Sequence, residues 1–579
     1  MRKFVLLLLF VFIGISGQSS SFARDSINLA VGTKAMVSTQ EAKATEVGLE
    51  ILKRGGNAVD ATVAIGFALA VTYPQAGNLG GGGFMLIHRP KDNFNTSIDY
   101  REVAPAAAHR DMFLDEAGNV DYKLSMESAK AAGVPGTVAG LIMALEKYGS
   151  MSLEEVIQPA IELAEEGFEV TPQLNFSIDD EREILSQSQT SSKLFFDKNG
   201  NALAVGELFK QPELAETLKR IAKGGVKGFY EGKTAELIAA DSAKQGGIMT
   251  LDDLKSYKAL ERKVVKGTYR DYEVITMTPP SSGGVHLIQM LNILEGWDVN
   301  AMGYGTVKYI NHMVETMRYA YADRTVHLGD PAFYEVPVET LTSKDYASYL
   351  RKKIEAKEVR PSSEIMPGKL PKLPIESDQT THYSVVDQWG NAVANTYTLN
   401  GSYGNGHVVE GAGFLLNNEM DDFSAKPGAP NMYGLVGDEA NSIAPGKRPL
   451  SSMTPTIITK DGKVSMVTGA VGGSRIITAV LQTIVNVLDH GMDIEQATTA
   501  ARFHHQYLPD EIRMEQGFND DVMQRLKAMG YRFKMLKPRA EDSLSAGSSN
   551  GWVQSIHVKD GNLTGNADIR RNGALAKGY

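Results

Sequence analysis

Two strand-like runs joined by a short turn constrain this chain more than any other feature. Residues 383–386 are β-branched and aromatic, Asp387-Gln-Trp-Gly-Asn391 supplies turn residues, and residues 392–399 resume strand character, so the stretch reads as a β-hairpin. A turn centred on Trp389 sets Thr380 opposite Thr398, with both hydroxyls on one face at the same end of a sheet. A slip of one residue would turn one of them to the opposite face, so the pairing rests on an unshifted register. By spacing alone, two facing threonines express no more than β-propensity. Their neighbourhood decides whether they do chemistry.

The 579 residues, 42% apolar and 22% charged, describe a globular protein with room for several domains or one large layered fold. A net charge of -10, with acids and bases mixed throughout, argues against a nucleic-acid or anionic-membrane footprint. At the start, Met1-Arg-Lys3, an apolar run over residues 4–15 and Ser19-Ser-Ser-Phe-Ala23 have the three parts of a secretory signal, with cleavage expected after Ala23. The apolar run is shorter than the roughly 20 residues that span a bilayer. A periplasmic or secreted protein is expected. The chain has no cysteine, which excludes a thiol nucleophile and leaves stability to a large core without disulfides.

The first half reads as helix-rich. Ser38-Thr-Gln-Glu41 has the pattern of a capping box ahead of a helix over 42–54, ended by Gly55-Gly56, and residues 61–71 read as a buried helix. In Asn78-Leu-Gly-Gly-Gly-Gly-Phe-Met-Leu86, four glycines before an apolar strand point to close backbone approach. No G-x-G-x-x-G register and no Lys-Ser/Thr follows, which argues against a nucleotide loop. Gly232-Lys-Thr234 has a Walker-like ending, but Lys227 stands where the first glycine is required, so the segment reads as helix entry. Residues 124–260 carry helical patterning. Residues 343–376 lack a sustained apolar face, and 371–379 read as an exposed linker. His382, His407, His504 and His505 stand in no triad context.

Downstream of the hairpin come Asn400, then Leu415-Leu-Asn-Asn-Glu-Met-Asp-Asp-Phe-Ser424, Arg448-Pro-Leu-Ser-Ser-Met-Thr-Pro455 and Gly469-Ala-Val-Gly-Gly-Ser-Arg475. In this order and spacing the chain resembles γ-glutamyltranspeptidase, a self-cleaving N-terminal-nucleophile hydrolase, from about Ala30 to Tyr579. The resemblance implies an α+β fold, a four-layer αββα sandwich. It implies a precursor cut between Gln379 and Thr380 into a large subunit, 24–379, and a small catalytic subunit, 380–579, which together build one fold.

The same resemblance assigns roles. A hydroxyl is a weak nucleophile without a base beside it, and the amine freed at Thr380, with a reference pKa of roughly 8, supplies that base. Thr398 orients the Thr380 hydroxyl. Arg101, in Tyr100-Arg-Glu-Val-Ala-Pro105, holds the substrate's α-carboxylate through two parallel hydrogen bonds, assisted by Ser451 and Ser452. Asn400, Glu419 and Asp422 receive the α-amino group. Gly472 and Gly473 form an oxyanion hole from backbone N–H groups, and residues 427–447, with Tyr433, form a lid. The implied reaction transfers the γ-glutamyl group of glutathione-like compounds to water, amino acids or dipeptides, with no metal and no organic cofactor. The alternatives are a cephalosporin or glutaryl acylase or a poly-γ-glutamate depolymerase of the same fold. A periplasmic solute-binding protein, of a different class, would need no self-cleavage.

Overall fold

In the computed structural model, residues 29–355, 359–365, 380–537 and 549–579 are described; the expectations for residues 1–23, for 371–379 and for Gln379 fall outside them. The hairpin forms from strands Thr381–Val386 and Ala392–Thr398, paired antiparallel without a bulge. Asp387 closes its turn: Oδ1 accepts from Trp389 N at 2.9 Å and Asn391 N at 3.0 Å, and Oδ2 from Asn391 Nδ2 at 2.8 Å. Side-chain capture of the following N–H groups is what makes an Asx turn.

The hairpin is the middle of a seven-stranded antiparallel sheet. On one side of it lie Met36–Thr39 and then the C-terminal Leu575–Gly578; on the other lie Gly82–Arg89, Phe94–Tyr100 and Leu260–Arg262. A second seven-stranded sheet runs in the order Leu29–Gly32, Asn562–Ala567, Trp552–Lys559, Lys463–Val471, Thr456–Lys460, Tyr272–Thr276, Val265–Tyr269.

Strand alternation sorts the hairpin's side chains between two cores. Tyr383, Val385, Val393 and Tyr397 join helices Ala42–Lys53, Ala58–Thr72, Thr137–Tyr148 and Leu153–Glu166 on the outer face. Val386, Ala392 and Ala394 face the second sheet, whose other side carries helices Gly283–Glu295 and Ile476–Leu488. The sheets touch where the His382 ring lies over Gly469: a Cβ on that glycine would fall 2.3 Å from the ring. Ser384 Oγ donates to Gln554 O at 3.1 Å across the same interface. The result is helices, sheet, sheet, helices: an α+β, four-layer αββα sandwich.

Two local expectations are corrected. The helix Ala42–Lys53 is capped by Glu41, whose carboxylate accepts from Lys43 N and Ala44 N. Ser38 belongs to a strand and donates instead to Gln554 Oε1 at 3.0 Å. Within 343–376, Lys344–Glu355 is a helix that buries Ala347, Leu350 and Ile354 against Ile293. That narrow apolar stripe is diluted by lysines and acids. The Gly-Lys-Thr segment does open a helix, Gly232–Lys244.

Candidate active site

The register Thr381↔Tyr397, His382↔Thr396 continues by one step to Thr380 opposite Thr398. By parity both share the inner face with His382 and Thr396, at the edge of the space between the sheets. Both are 3% exposed. Thr398 Oγ1 accepts from Asn400 N at 2.9 Å, a contact that bends the chain as it leaves the strand, and Asn400 sits at φ 74°, a left-handed conformation that asparagine tolerates. Asn400 Nδ2 donates to Asn418 O at 3.0 Å, which leaves its Oδ1 as acceptor.

One cavity gathers Thr380, Thr398, Asn400, Arg101, Glu419 and Asp422. Tyr433, Ser451, Ser452 and Gly473 complete it, with the apolar Leu435, Met453 and Ile476, which the sequence had not singled out. Gly472 stands just behind the wall, and Gln379 lies outside the described residues. The cavity is about 20 Å³, room for little more than one water. As it stands it does not hold a ligand of amino-acid size.

Arg101 is wholly buried. Its Nη1 donates to Glu419 Oε1 and its Nη2 to Asp422 Oδ2, while Nε reaches Pro449 O at 3.2 Å. Glu102 Oε2 lies 3.8 Å from Nη1. Burial disfavours the guanidinium charge, but the carboxylates of Glu419, Asp422 and Glu102 outweigh it and hold the Arg101 pKa above its usual value. Burial pushes the Glu102 carboxyl up to about 7, with Arg101 opposing, and raises Glu419 well above the ordinary range. Neither Glu102 oxygen has a hydrogen-bond partner among the described residues. Glu102 follows the arginine in Tyr100-Arg-Glu-Val-Ala-Pro105, where the sequence carries no signal of a role for it.

Loop 427–447 closes over this cluster. Asn431 Nδ2 donates to Asp422 Oδ1 at 3.0 Å, Met432 N to Asp421 Oδ2 at 2.9 Å and Tyr433 Oη to Asn400 O at 2.8 Å. Gly472 and Gly473 have φ of 126° and 56° and lead into helix Ile476–Leu488. That backbone suits glycine. His382 is neutral, its pKa lowered to about 3 by burial, with its ring nitrogens on Thr396 Oγ1 and Ser384 Oγ. His407 does bridge Ser188 and Asp241, at 2.9 and 2.6 Å. Ser188 Oγ also caps helix Gln189–Phe195 by accepting from Ser191 N, and none of the three residues lines the cavity, so this network ties three segments together.

An αββα sandwich with a threonine at the head of an inner hairpin strand defines an N-terminal-nucleophile hydrolase. The family profile "Gamma-glutamyltranspeptidase" matches residues 44–578. The glutathione hydrolase proenzyme of Escherichia coli (strain K12) is 52% identical over 547 residues, 94% of this chain and 92% of that protein. A cephalosporin acylase from Bacillus halodurans superimposes with a TM-score of 0.83 at 26% identity, over 98% of this chain and 99% of its own. The γ-glutamyltranspeptidase of Helicobacter pylori superimposes at 0.55 with 49% identity, over 57% of this chain and 95% of that one. The chain belongs to the γ-glutamyltranspeptidase family.

Proposed function

We propose that the chain is a γ-glutamyl transferase and hydrolase acting on glutathione and related γ-glutamyl amides, made as a precursor that cuts itself between Gln379 and Thr380. One observation carries the reading: Thr380 shares a cavity with a buried arginine and two acids. A hydroxyl beside one cation and two carboxyl groups complements an α-amino acid head group joined to a scissile amide.

In maturation, Thr380 Oγ attacks the carbonyl carbon of Gln379. The C–N bond breaks as an ester forms, and water releases the Gln379 carboxylate and a free amine on Thr380. That amine takes the hydroxyl proton when Oγ attacks the γ-carbonyl of the substrate, and returns it to the leaving amine. N–H groups of Gly472 and Gly473 stabilise the oxyanion. Water, an amino acid or a dipeptide then takes the acyl group. Arg101 with Ser451 and Ser452 holds the α-carboxylate, and Asn400, Glu419 and Asp422 hold the ammonium. As the head group enters, its ammonium takes over the two acids and its carboxylate takes Arg101, so no buried charge is left alone. The 427–447 loop, with Tyr433, opens to admit it.

A clamp of both signs supports this reading over a glutaryl acylase, whose acyl group lacks the ammonium and would leave Glu419 and Asp422 competing for Arg101. Residues 1–23 serve as a signal for export to the periplasm or beyond. Among the described residues no helix is long and apolar enough to cross a membrane.

The test is a denaturing gel with an activity assay. Purified protein runs as two fragments, 24–379 and 380–579, the smaller beginning Thr-Thr-His-Tyr, and hydrolyses γ-glutamyl-p-nitroanilide. Thr380→Ala remains one inactive chain. A wild-type preparation that is active as an intact single chain overturns the reading.

A further inference from the structure

A second arginine stands behind the serine pair. Arg324, on helix Val307–His327, is 5% exposed, and among the described residues its side chain makes two hydrogen bonds and no ion pair. Both bonds go to hydroxyls: Nε donates to Ser282 Oγ at 3.0 Å and Nη2 to Ser452 Oγ at 3.2 Å. Ser282 Oγ in turn donates to Ser451 O at 2.8 Å, and Ser282 N to the same oxygen at 2.8 Å. One turn earlier on the helix, Tyr321 Oη donates to Ser474 O, next to Gly473. One helical face thus supports two walls of the cavity.

The direction of the Ser452 bond is fixed by chemistry. A guanidinium only donates, so Ser452 Oγ accepts from Arg324 and keeps its own proton to give elsewhere. Ser452 lines the cavity, as does Arg101. A buried cation normally has a carboxylate for company, because desolvation without one is costly. Here burial draws the Arg324 pKa down to about 10. The carboxylate that acts on this charge, Asp422, lines the same cavity and is paired directly with Arg101 rather than with Arg324.

We propose that Arg324 is a positioning residue for the substrate's carboxylate: by donating to Ser452 Oγ it turns the Ser452 hydroxyl proton into the cavity. The inference rests on the γ-glutamyl reading above. It assigns selectivity for a carboxylate to the layer behind the cavity wall as well as to Arg101.

The test uses mature enzyme and two anilides that differ only in the α-carboxylate, γ-glutamyl-p-nitroanilide and 4-aminobutyryl-p-nitroanilide, the latter read as substrate or as competitive inhibitor. In Arg324→Gln, KM for the γ-glutamyl compound rises roughly tenfold or more while kcat stays within about threefold, as for loss of a ground-state contact to a charge. Binding of the 4-aminobutyryl compound changes less than about twofold. Arg324→Lys, with one point-charge donor, lies between, and Arg324→Gln in a Ser452→Ala background adds little to Ser452→Ala alone. Equal losses with both anilides, a fall in kcat at constant KM, or additive losses in the double variant overturn the proposal. If Arg324→Gln does not accumulate as folded protein, Arg324→Lys carries the same two-anilide comparison. A wild-type enzyme inactive on the γ-glutamyl anilide refutes the functional reading instead.

Discussion

The carbonyl oxygen of Thr398 lies so close to the backbone of Gly81 that a Cβ there would sit 2.0 Å from it. Gly83 meets Thr396 O in the same way, at 2.4 Å. Strand Gly82–Arg89 pairs with Ala392–Thr398 directly beneath the candidate nucleophile's partner, and Asn78 Oδ1 pins Gly81 N at 2.9 Å. The glycine run is a seat for the strand that carries Thr398.

Since that seat fixes the Thr398 hydroxyl opposite Thr380, Thr398→Ala is expected to slow both self-cleavage and turnover, because the same oxygen is oriented in both. Positioning effects of this kind reach about two orders of magnitude. Thr398→Ser keeps the hydroxyl and loses less. The checks are the decay of the precursor band and the rate of γ-glutamyl-p-nitroanilide hydrolysis. Wild-type rates in the alanine variant would remove Thr398 from the mechanism.

Arg101 should separate charge from geometry. Arg101→Lys keeps the cation but loses the fork that serves Glu419, Asp422 and an incoming carboxylate, so KM is expected to rise by the equivalent of about 1.5–3 kcal/mol with maturation intact. Arg101→Met goes further, leaving the buried Glu419 and the part-buried Asp422 without a cation, and is expected to cost about 3–5 kcal/mol of stability. Steady-state kinetics and thermal melts on the two variants check this. A lysine variant with unchanged KM would show that Arg101 does not hold the substrate.

How much of this was legible in the sequence depends on how local each determinant is. The hairpin was, because its turn residues and the strands on either side lie within twenty residues and pair without a bulge. The glycine run announced close approach but not its partner, which arrives from more than three hundred residues away. Ser38 looked like a helix cap until Gln554 claimed its hydroxyl. Helix Lys344–Glu355 was missed because its stripe becomes a face only against Ile293. Arg324 gave no local signal at all: an arginine in a long helix is ordinary until the fold buries it behind Ser452.

Glu102 gives the site a pH signature. Its carboxyl is raised to about 7 by burial, with Arg101 opposing and Asp422 adding to the rise. Between the ordinary glutamate range, about 4.3, and pH 7 the folded state therefore holds a proton that the unfolded chain has lost. Stability from this group is full at the acid end and falls as pH rises through 7. Glu102→Gln, which cannot ionise, is expected to melt close to wild type at pH 5 and above it at pH 8. Asp421 and Glu181, also raised to about 7 by burial, keep some slope in both proteins. Parallel melting curves for the two proteins across this range would show that Glu102 is not the source.

Gly473 and Tyr433 should prove coupled. A Cβ on Gly473 would fall 2.2 Å from the Tyr433 ring, and the residue sits at φ 56°, where a side chain is strained. The Tyr433 ring cannot simply yield, because its hydroxyl donates to Asn400 O at 2.8 Å and its own carbonyl accepts from Gln506 Nε2 at 3.0 Å. Gly473→Ala therefore carries two penalties: left-handed backbone, about 1–2 kcal/mol, and overpacking, typically about 1–3 kcal/mol. Adding Tyr433→Ala removes the second but not the first. Melts of the two single variants and the double variant, all in the uncut Thr380→Ala chain so that fragment dissociation does not intrude, should show Gly473→Ala costing less in the Tyr433→Ala background than alone. Equal costs in both backgrounds would mean that the ring moves aside freely and does not rest on Gly473.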